Sequence, residues 1–147
     1  MSLLETNPLM ESLVIAFEST AFISLTPAER GTRAPERAII ATIPLKGVGC
    51  LHIAAASRLG AVIAANIMAL EPDEPEALRC GPDALKEILN ITAGGYCSSF
   101  DPTPEMGLPQ VELLTDAISW KQWVYDKGAT ILLAEEHLLA VAIEETR

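Results

Sequence analysis

The stretch "RAIIATIPLKGVGCLHIAAAS", residues 37–57, contains two apolar, partly β-branched runs separated by one turn signal. Lys46 and Gly47 interrupt the apolar residues, and a short polar break with glycine between two such runs is typical of a β-hairpin. We therefore predict a strand on each side of this turn, and with them an antiparallel sheet.

Three later segments extend this prediction. A loop rich in proline leads into "QVELL" at 110–114, and "ISWKQWVYDKG" at 118–128 is predicted to be a short strand or loop. "ATILLAEEHLLAVAIEE" at 129–145 has the Ala, Leu and Glu content of a helix, but its apolar residues alternate as in a hairpin that turns near Glu136. We favour the hairpin. Trp120 and Trp123 are then expected to pack against the sheet rather than to bind a partner.

Helical spacing of apolar residues appears in three other places. Asn7 is a candidate N-cap before Pro8, and Ser57 is a candidate cap for a second, mostly buried helix. A linker with Pro72 and Pro75 precedes the third helix, which should end at two glycines. The predicted helices are 8–25, 57–70 and 82–96. Together these elements predict an α+β fold, an antiparallel sheet with the helices packed on one side, in a single domain, 1–147.

Composition excludes several classes of function. Half of the 147 residues are apolar and a fifth are charged, which is typical of a folded domain, and no apolar run is long enough to cross a bilayer. A net charge of -10 argues against nucleic acid and favours a partner with exposed basic residues. Three cysteines and two isolated histidines support neither a zinc site nor a disulfide framework. No secretory signal is visible, so we expect a cytoplasmic protein without a membrane or nucleic-acid partner.

The third helix carries the candidate site. In "DALKEILNITAGG", residues 83–95, a turn of about 100° per residue places Leu85, Ile88 and Leu89 on one face. The opposite face is a narrow polar stripe that continues only into small residues. Its members are Asp83, Lys86, Glu87, Asn90, Ala93 and Gly94. By spacing alone this stripe is also typical of an ordinary solvated helix face.

The order helix, hairpin, helix, then "D-x-x-x-E-x-x-N-x-x-x-G" and a later "L-P-x-V" strand resembles the CheC/CheX/FliY family of chemotaxis phosphatases. The family's E-x-x-N motif falls on Glu87 and Asn90, with Asp83 and Gly94 flanking it, and "GLPQV" at 107–111 matches the strand after the loop. Only one such motif is present, which points to the CheX members of the family.

This resemblance implies a fold, an activity and a partner. The expected activity is hydrolysis of the aspartyl phosphate on a CheY-like response regulator in two-component signalling. Glu87 and Asn90 would be the catalytic residues, and the other four members of the stripe would contact the partner. The resemblance also implies a homodimer and no cofactor of the protein's own, with Mg²⁺ supplied by the phosphorylated receiver. A receiver-binding or other signalling module without catalysis, on the same fold, is the alternative.

Overall fold

The computed structural model describes residues 7–29 and 31–146. Its strands form one six-stranded antiparallel sheet. The elements in chain order are α1 (Pro8–Ala16), a π-helical turn (Phe17–Ala21), β1 (Leu25–Pro27), β2 (Ala38–Leu45), β3 (Gly49–Ala56), α2 (Ser57–Met68), α3 (Pro75–Cys97), β4 (Gln110–Leu114), α4 (Ala117–Lys127), β5 (Thr130–Ala134) and β6 (His137–Glu145). The strand order across the sheet is β1-β5-β6-β3-β2-β4.

The two predicted hairpins form the middle of the sheet. β2 pairs with β3 in a register that places Thr42 opposite His52, and β3 pairs on its other side with β6. The segment 129–145 is a hairpin and not a helix, and its turn lies at Glu135 and Glu136, which both have positive φ. The strand that the family resemblance implies at 107–111 corresponds to β4, which begins at Gln110 and lies at one edge of the sheet. All of these strand predictions are confirmed.

α1, α2 and α3 cover one face of the sheet, and α3 lies between the other two. Two glycines allow the close packing. A Cβ on Gly81 would lie 3.2 Å from the carbonyl carbon of Gly60 in α2, and one on Gly95 would lie 2.7 Å from the Ser12 hydroxyl in α1. The α+β prediction is confirmed: the sheet is antiparallel, and α1, α2 and α3, which correspond to the three predicted helices, pack on one side of it. None of the helices described has both the length and the apolar character needed to span a membrane.

The predicted helix boundaries need several corrections. Asn7 caps α1 by accepting a 2.9 Å bond from the Met10 amide, as predicted, but the helical chain ends at Ala21, and Leu25 begins a strand. Ser57 is the first residue of α2 and forms no cap, since Ala56 occupies that position.

The third helix is longer than predicted at both ends. α3 begins at Pro75, where proline fits because a first-turn amide needs no helical acceptor. It also passes through Pro82, because Gly81 has no Cβ to clash with the proline ring. The glycine pair at 94 and 95 does not stop it, and the helix ends at Cys97.

A fourth helix lies on the opposite face of the sheet, where a strand or loop was predicted. Asp116 caps α4 by accepting a 2.7 Å hydrogen bond from the Ser119 amide, which lowers the pKa of its carboxyl, and Gly128 ends the helix in the left-handed conformation. Trp120 is buried in a second, smaller core cluster with Ile40 and Leu138, so its predicted packing role is confirmed.

Candidate functional site

α3 presents the predicted stripe on its outer face. Leu85, Ile88 and Leu89 are fully buried beneath it, whereas Glu87 is exposed and Asn90 is half-exposed. Glu87 and Asn90 are three residues apart, so their side chains leave the same side of the helix about one turn from each other. The placement predicted for these two residues, accessible on one face above a buried face, is confirmed.

Neither catalytic candidate is engaged with another part of the described chain. Within residues 7–29 and 31–146, the Glu87 carboxylate forms no ion pair and the Asn90 carboxamide forms no side-chain hydrogen bond. Both oxygens of Glu87, and the oxygen and nitrogen of Asn90, are therefore available to a molecule that docks on α3.

The flanking residues of the stripe differ from one another. Asp83 and Lys86 form an ion pair of 3.5 Å along the helix surface, with the carboxylate far more exposed than the lysine. Gly94 extends the stripe toward the end of the helix, and a Cβ built on it meets no described atom within 4 Å. Ala93 is fully buried in the main core, so its prediction as a partner-contacting residue is wrong. Its helical angle lies at the border of the stripe, next to the apolar face that the main core covers.

A groove lies along one side of this stripe, and no pattern in the sequence predicted it. It has a volume of about 430 Å³ and is formed between the C-terminal end of α2 and the first half of α3. We call it the α2–α3 groove; its main lining residues are Ala64, Ile67, Met68, Cys80, Asp83 and Glu87. Ile67 and Met68 were predicted in a mostly buried helix, but each is 42% exposed here. The groove therefore joins an apolar floor to two residues of the stripe.

A second polar cluster lies on the other face of the sheet, beneath α4. The buried His52 ring forms hydrogen bonds with the Thr42 hydroxyl at 2.8 Å and the Glu144 carboxylate at 2.9 Å. Lys127 of α4 donates to the same carboxylate at 3.1 Å, and Trp123 meets the His52 ring edge-on. This cluster fastens α4 to β2, β3 and β6. The described residues hold no group of three His, Cys, Asp or Glu side chains placed to bind a metal ion.

Comparison by sequence does not classify the chain. No model of a known protein family matches it. Curated protein sequences likewise yield no significant match.

Comparison by structure identifies the fold of the chain. The chemotaxis protein CheX from Vibrio vulnificus superposes with a TM-score of 0.61 at 16% identity, over 95% of both chains. A structure of the CheX-CheY-BeF3-Mg²⁺ complex from Borrelia burgdorferi gives a TM-score of 0.64 at 14% identity, over 95% of this chain and 96% of the other. FliY from Thermotoga maritima gives 0.56 at 15% identity, over 93% and 85%. At these identities the likeness concerns the fold, and the chain has the fold shared by the CheC/CheX/FliY structures.

Proposed function

We propose that this protein is a CheX-like phosphatase that hydrolyses the aspartyl phosphate of a CheY-like response regulator. The observation that supports it most is the position of Glu87 and Asn90, accessible and free of partners among the described residues on one face of α3. The fold of the chain, which is that of a CheX protein solved together with CheY, is consistent with this partner.

The chemistry of an acyl phosphate suits a carboxamide. Hydrolysis needs a water held in line with the bond between phosphorus and the leaving oxygen, so positioning carries most of the rate. The Asn90 carboxamide accepts from and donates to one water at the same time. Because it is neutral, it approaches the phosphoryl group without the repulsion that a carboxylate would meet. Asn90 is therefore the residue that we assign to the attacking water.

Glu87 has a different task in this proposal. Its exposed carboxylate would pair with a lysine beside the phosphate of the receiver, which docks α3 and fixes the approach of Asn90. Gly94 gives the receiver backbone room to come close, while Asp83 and Lys86 contact it at the edge. The Mg²⁺ ion that neutralises phosphate charge would be bound by the receiver. The cytoplasm, where response regulators act, is the proposed location.

A module that binds receivers without catalysis is the other function compatible with this fold. Such a module does not need an accessible carboxamide, and a buried Asn90 saturated by backbone groups would have favoured it. The half-exposed Asn90 favours the phosphatase.

The first test is the substitution Asn90→Ala. We expect the variant to bind the phosphorylated receiver as the parent does, because the lost contact is made mainly in the transition state. Single-turnover release of phosphate should slow by an amount equivalent to about 2–4 kcal/mol, as when one preorganised polar group is deleted. Gln122→Ala, an exposed carboxamide on α4, is the matched control and should leave the rate unchanged. Hydrolysis by Asn90→Ala at the parental rate would refute the mechanism.

A further inference from the structure

The α2–α3 groove has the dimensions of a site for one or two side chains. Its volume of about 430 Å³ lies in the lower part of the range of small-ligand pockets. A single helical turn, about 10–12 Å across with its side chains and about 5.4 Å long, already occupies about as much volume as the whole groove. The occupant is therefore an individual side chain that projects from a larger surface, or a molecule of similar size.

The floor of the groove is apolar and is not covered by the described part of the chain. Ile67 and Met68, at the end of α2, each expose 42% of their surface there. Thr20 closes the groove at the π-helical turn, and the next exposed residue is Phe22, which is 74% exposed. Two adjacent apolar side chains that are exposed together, as Ile67 and Met68 are, are typical of an interaction surface.

The backbone holds this exposed aromatic residue in an uncommon conformation. Phe22 has φ 59°, in the left-handed region that bulky residues avoid, and it follows a π-helical turn. The side chain of Asn66 donates a 2.8 Å hydrogen bond to the carbonyl of Ala21, which ties this turn to α2 beside Ile67. Strained backbone conformations of this kind are concentrated at functional sites.

The rim of the groove is negative. Asp83 and Glu87 line it directly, and Glu71, Asp73 and Glu74 follow in the loop that leaves α2. Two cations of α3 offset carboxylates of the same helix, Arg79 that of Glu76 and Lys86 that of Asp83, so the remaining negative charge comes from Glu87 and the acidic residues of the loop. A partner surface that combines an apolar side chain with a basic residue is therefore complementary to this groove.

We infer that the α2–α3 groove receives an apolar side chain of the receiver, next to a basic residue of the same partner, and that it selects which receivers are bound. This inference rests on the proposed function, because Glu87 belongs to both surfaces: it lines the groove and stands on the stripe beside Asn90. A receiver that places its phosphate at Asn90 must also cover the groove at Glu87. The apolar contact in the groove contributes affinity, and the chemistry remains at Asn90.

The test measures affinity and turnover separately. The probes are the CheY-like receivers of the same organism, phosphorylated with acetyl phosphate for kinetics and carrying beryllofluoride and Mg²⁺ for titration. The variants are Ile67→Glu, Met68→Glu and Met68→Lys. Ile118→Glu is the matched control, since Ile118 is 80% exposed on α4 at the other face of the sheet. Circular dichroism and the melting temperature verify that each variant is folded.

We expect Ile67→Glu and Met68→Lys to weaken receiver binding about tenfold, which corresponds to loss of one significant interface residue. Met68→Glu should lose less receiver affinity than Met68→Lys, because the introduced lysine is repelled by the basic residue of the partner. The rate at saturating receiver should stay at the parental value, and Ile118→Glu should change neither quantity. Equal losses for the two Met68 variants would overturn the basic part of the inference.

The outcomes also separate this inference from the proposed function. If the parent hydrolyses the phosphate through Asn90 and the groove variants bind normally, the groove inference is wrong and the phosphatase stands. If the groove variants lose affinity but the parent does not accelerate hydrolysis, the groove stands and the phosphatase is wrong. Groove variants that alter the mass of a dimer instead of receiver affinity would show that a second copy occupies the groove, which overturns the inference.

Discussion

Glu87 and Asn90 stand one turn apart, but their surroundings differ in a way that matches the two roles. The Glu87 carboxylate is exposed beside the groove, where a long flexible side chain can reach a charged partner. Asn90 is half-buried, so that fewer side-chain orientations are open to its carboxamide. Restricting that side chain before the partner arrives lowers the entropy lost when it holds the water.

The variant Glu87→Gln tests the docking role, because it keeps the shape of the side chain and removes its charge. We expect weaker association with the phosphorylated receiver at low salt, and a difference from the parent that shrinks as salt screens the ion pair. Titration and single-turnover kinetics at two ionic strengths provide the measurement. Exposed Glu18, at the π-helical turn, is the site for a matched control, Glu18→Gln. A loss that does not depend on salt would contradict the ion-pair role.

Glu144 is the residue that joins α4 to the sheet. Hydrogen bonds from His52 and then from Lys127 hold the pKa of its carboxyl below the ordinary value. Because the folded-state pKa is depressed, the interaction stabilises the fold above the unfolded-state pKa, about 4.3, and is lost as the pH falls through the folded-state pKa.

Glu144→Gln should therefore melt below the parent at pH 7, and the two melting temperatures should converge in acid below about pH 4. Since more than half of the Glu144 side chain is exposed, the effect should stay below about 1 kcal/mol. Thermal melts across this pH range provide the measurement. A constant difference between the two proteins at every pH would show that the charge of Glu144 has no part in fastening α4.

At the scale of elements, α3 determines both the packing and the site. Two glycines of this helix have opposite surroundings: Gly81 meets the backbone of α2, whereas Gly94 faces open space. Gly94→Ala should raise the free energy of unfolding by about 0.5–1 kcal/mol through helix propensity. Gly81→Ala should lower it by about 1–3 kcal/mol, because its Cβ presses on the Gly60 carbonyl carbon and two helices must separate.

Denaturant titration of both variants compares the same substitution in the same helix. Gly94→Ala should in addition slow dephosphorylation, since its methyl group occupies the space proposed for the receiver backbone. Equal stabilisation by the two substitutions would mean that α2 and α3 do not depend on their close approach.

The elements that were predictable from sequence are those with a strong local pattern. Residues 37–57 contain two apolar, partly β-branched runs around a clear turn, and Asn7 with Pro8 marks a helix start, so both are as predicted. α4 was missed because Trp120, Trp123 and Val124 favour strands by composition, although Asp116 and Gly128 were present as cap and stop signals. The helix predicted at 82–96 is shorter than α3, because prolines and glycines usually end helices. In this protein, packing against α1 and α2 overrides that preference.

The site was predictable in its helical part and not in its tertiary part. Glu87 and Asn90 share a face because they are three residues apart in one helix, which is close to one turn. The burial of Ala93 and the α2–α3 groove depend on how the other helices pack against α3. The periodicity of a single segment carries no information about that packing.

At the scale of the whole molecule, the two edges of the sheet are unequal. β1 has three residues and contains Pro27, which discourages pairing, whereas β4 has five residues and no proline. Leu113 in β4 is 63% exposed and Leu108 just before it is 82% exposed. The predicted homodimer is therefore expected to form through β4, where two copies can pair their free backbone groups.

Light scattering at micromolar concentration should show a dimer for the parent and a monomer for Leu113→Lys, which places a charge at the edge. Tyr125→Lys, on exposed α4, should leave the dimer intact. Since each copy carries a net charge of -10, added salt should strengthen the dimer by screening repulsion, whereas it weakens the Glu87 ion pair with the receiver. A parent that is monomeric at this concentration would refute the dimer.

The close contacts at Gly81 and Gly95 have a consequence for the dynamics of the molecule. One contact lies at each end of the stripe, against α2 at Gly81 and against α1 at Gly95, about four turns apart. The backbone amides of the intervening segment of α3 therefore lie between two close helix contacts. Opening that segment requires both crossings to separate, which is close to unfolding the domain, and hydrogen exchange there should be among the slowest in the chain. A receiver would then meet a recognition helix that is already ordered, so its binding would involve little folding and only a small change in heat capacity.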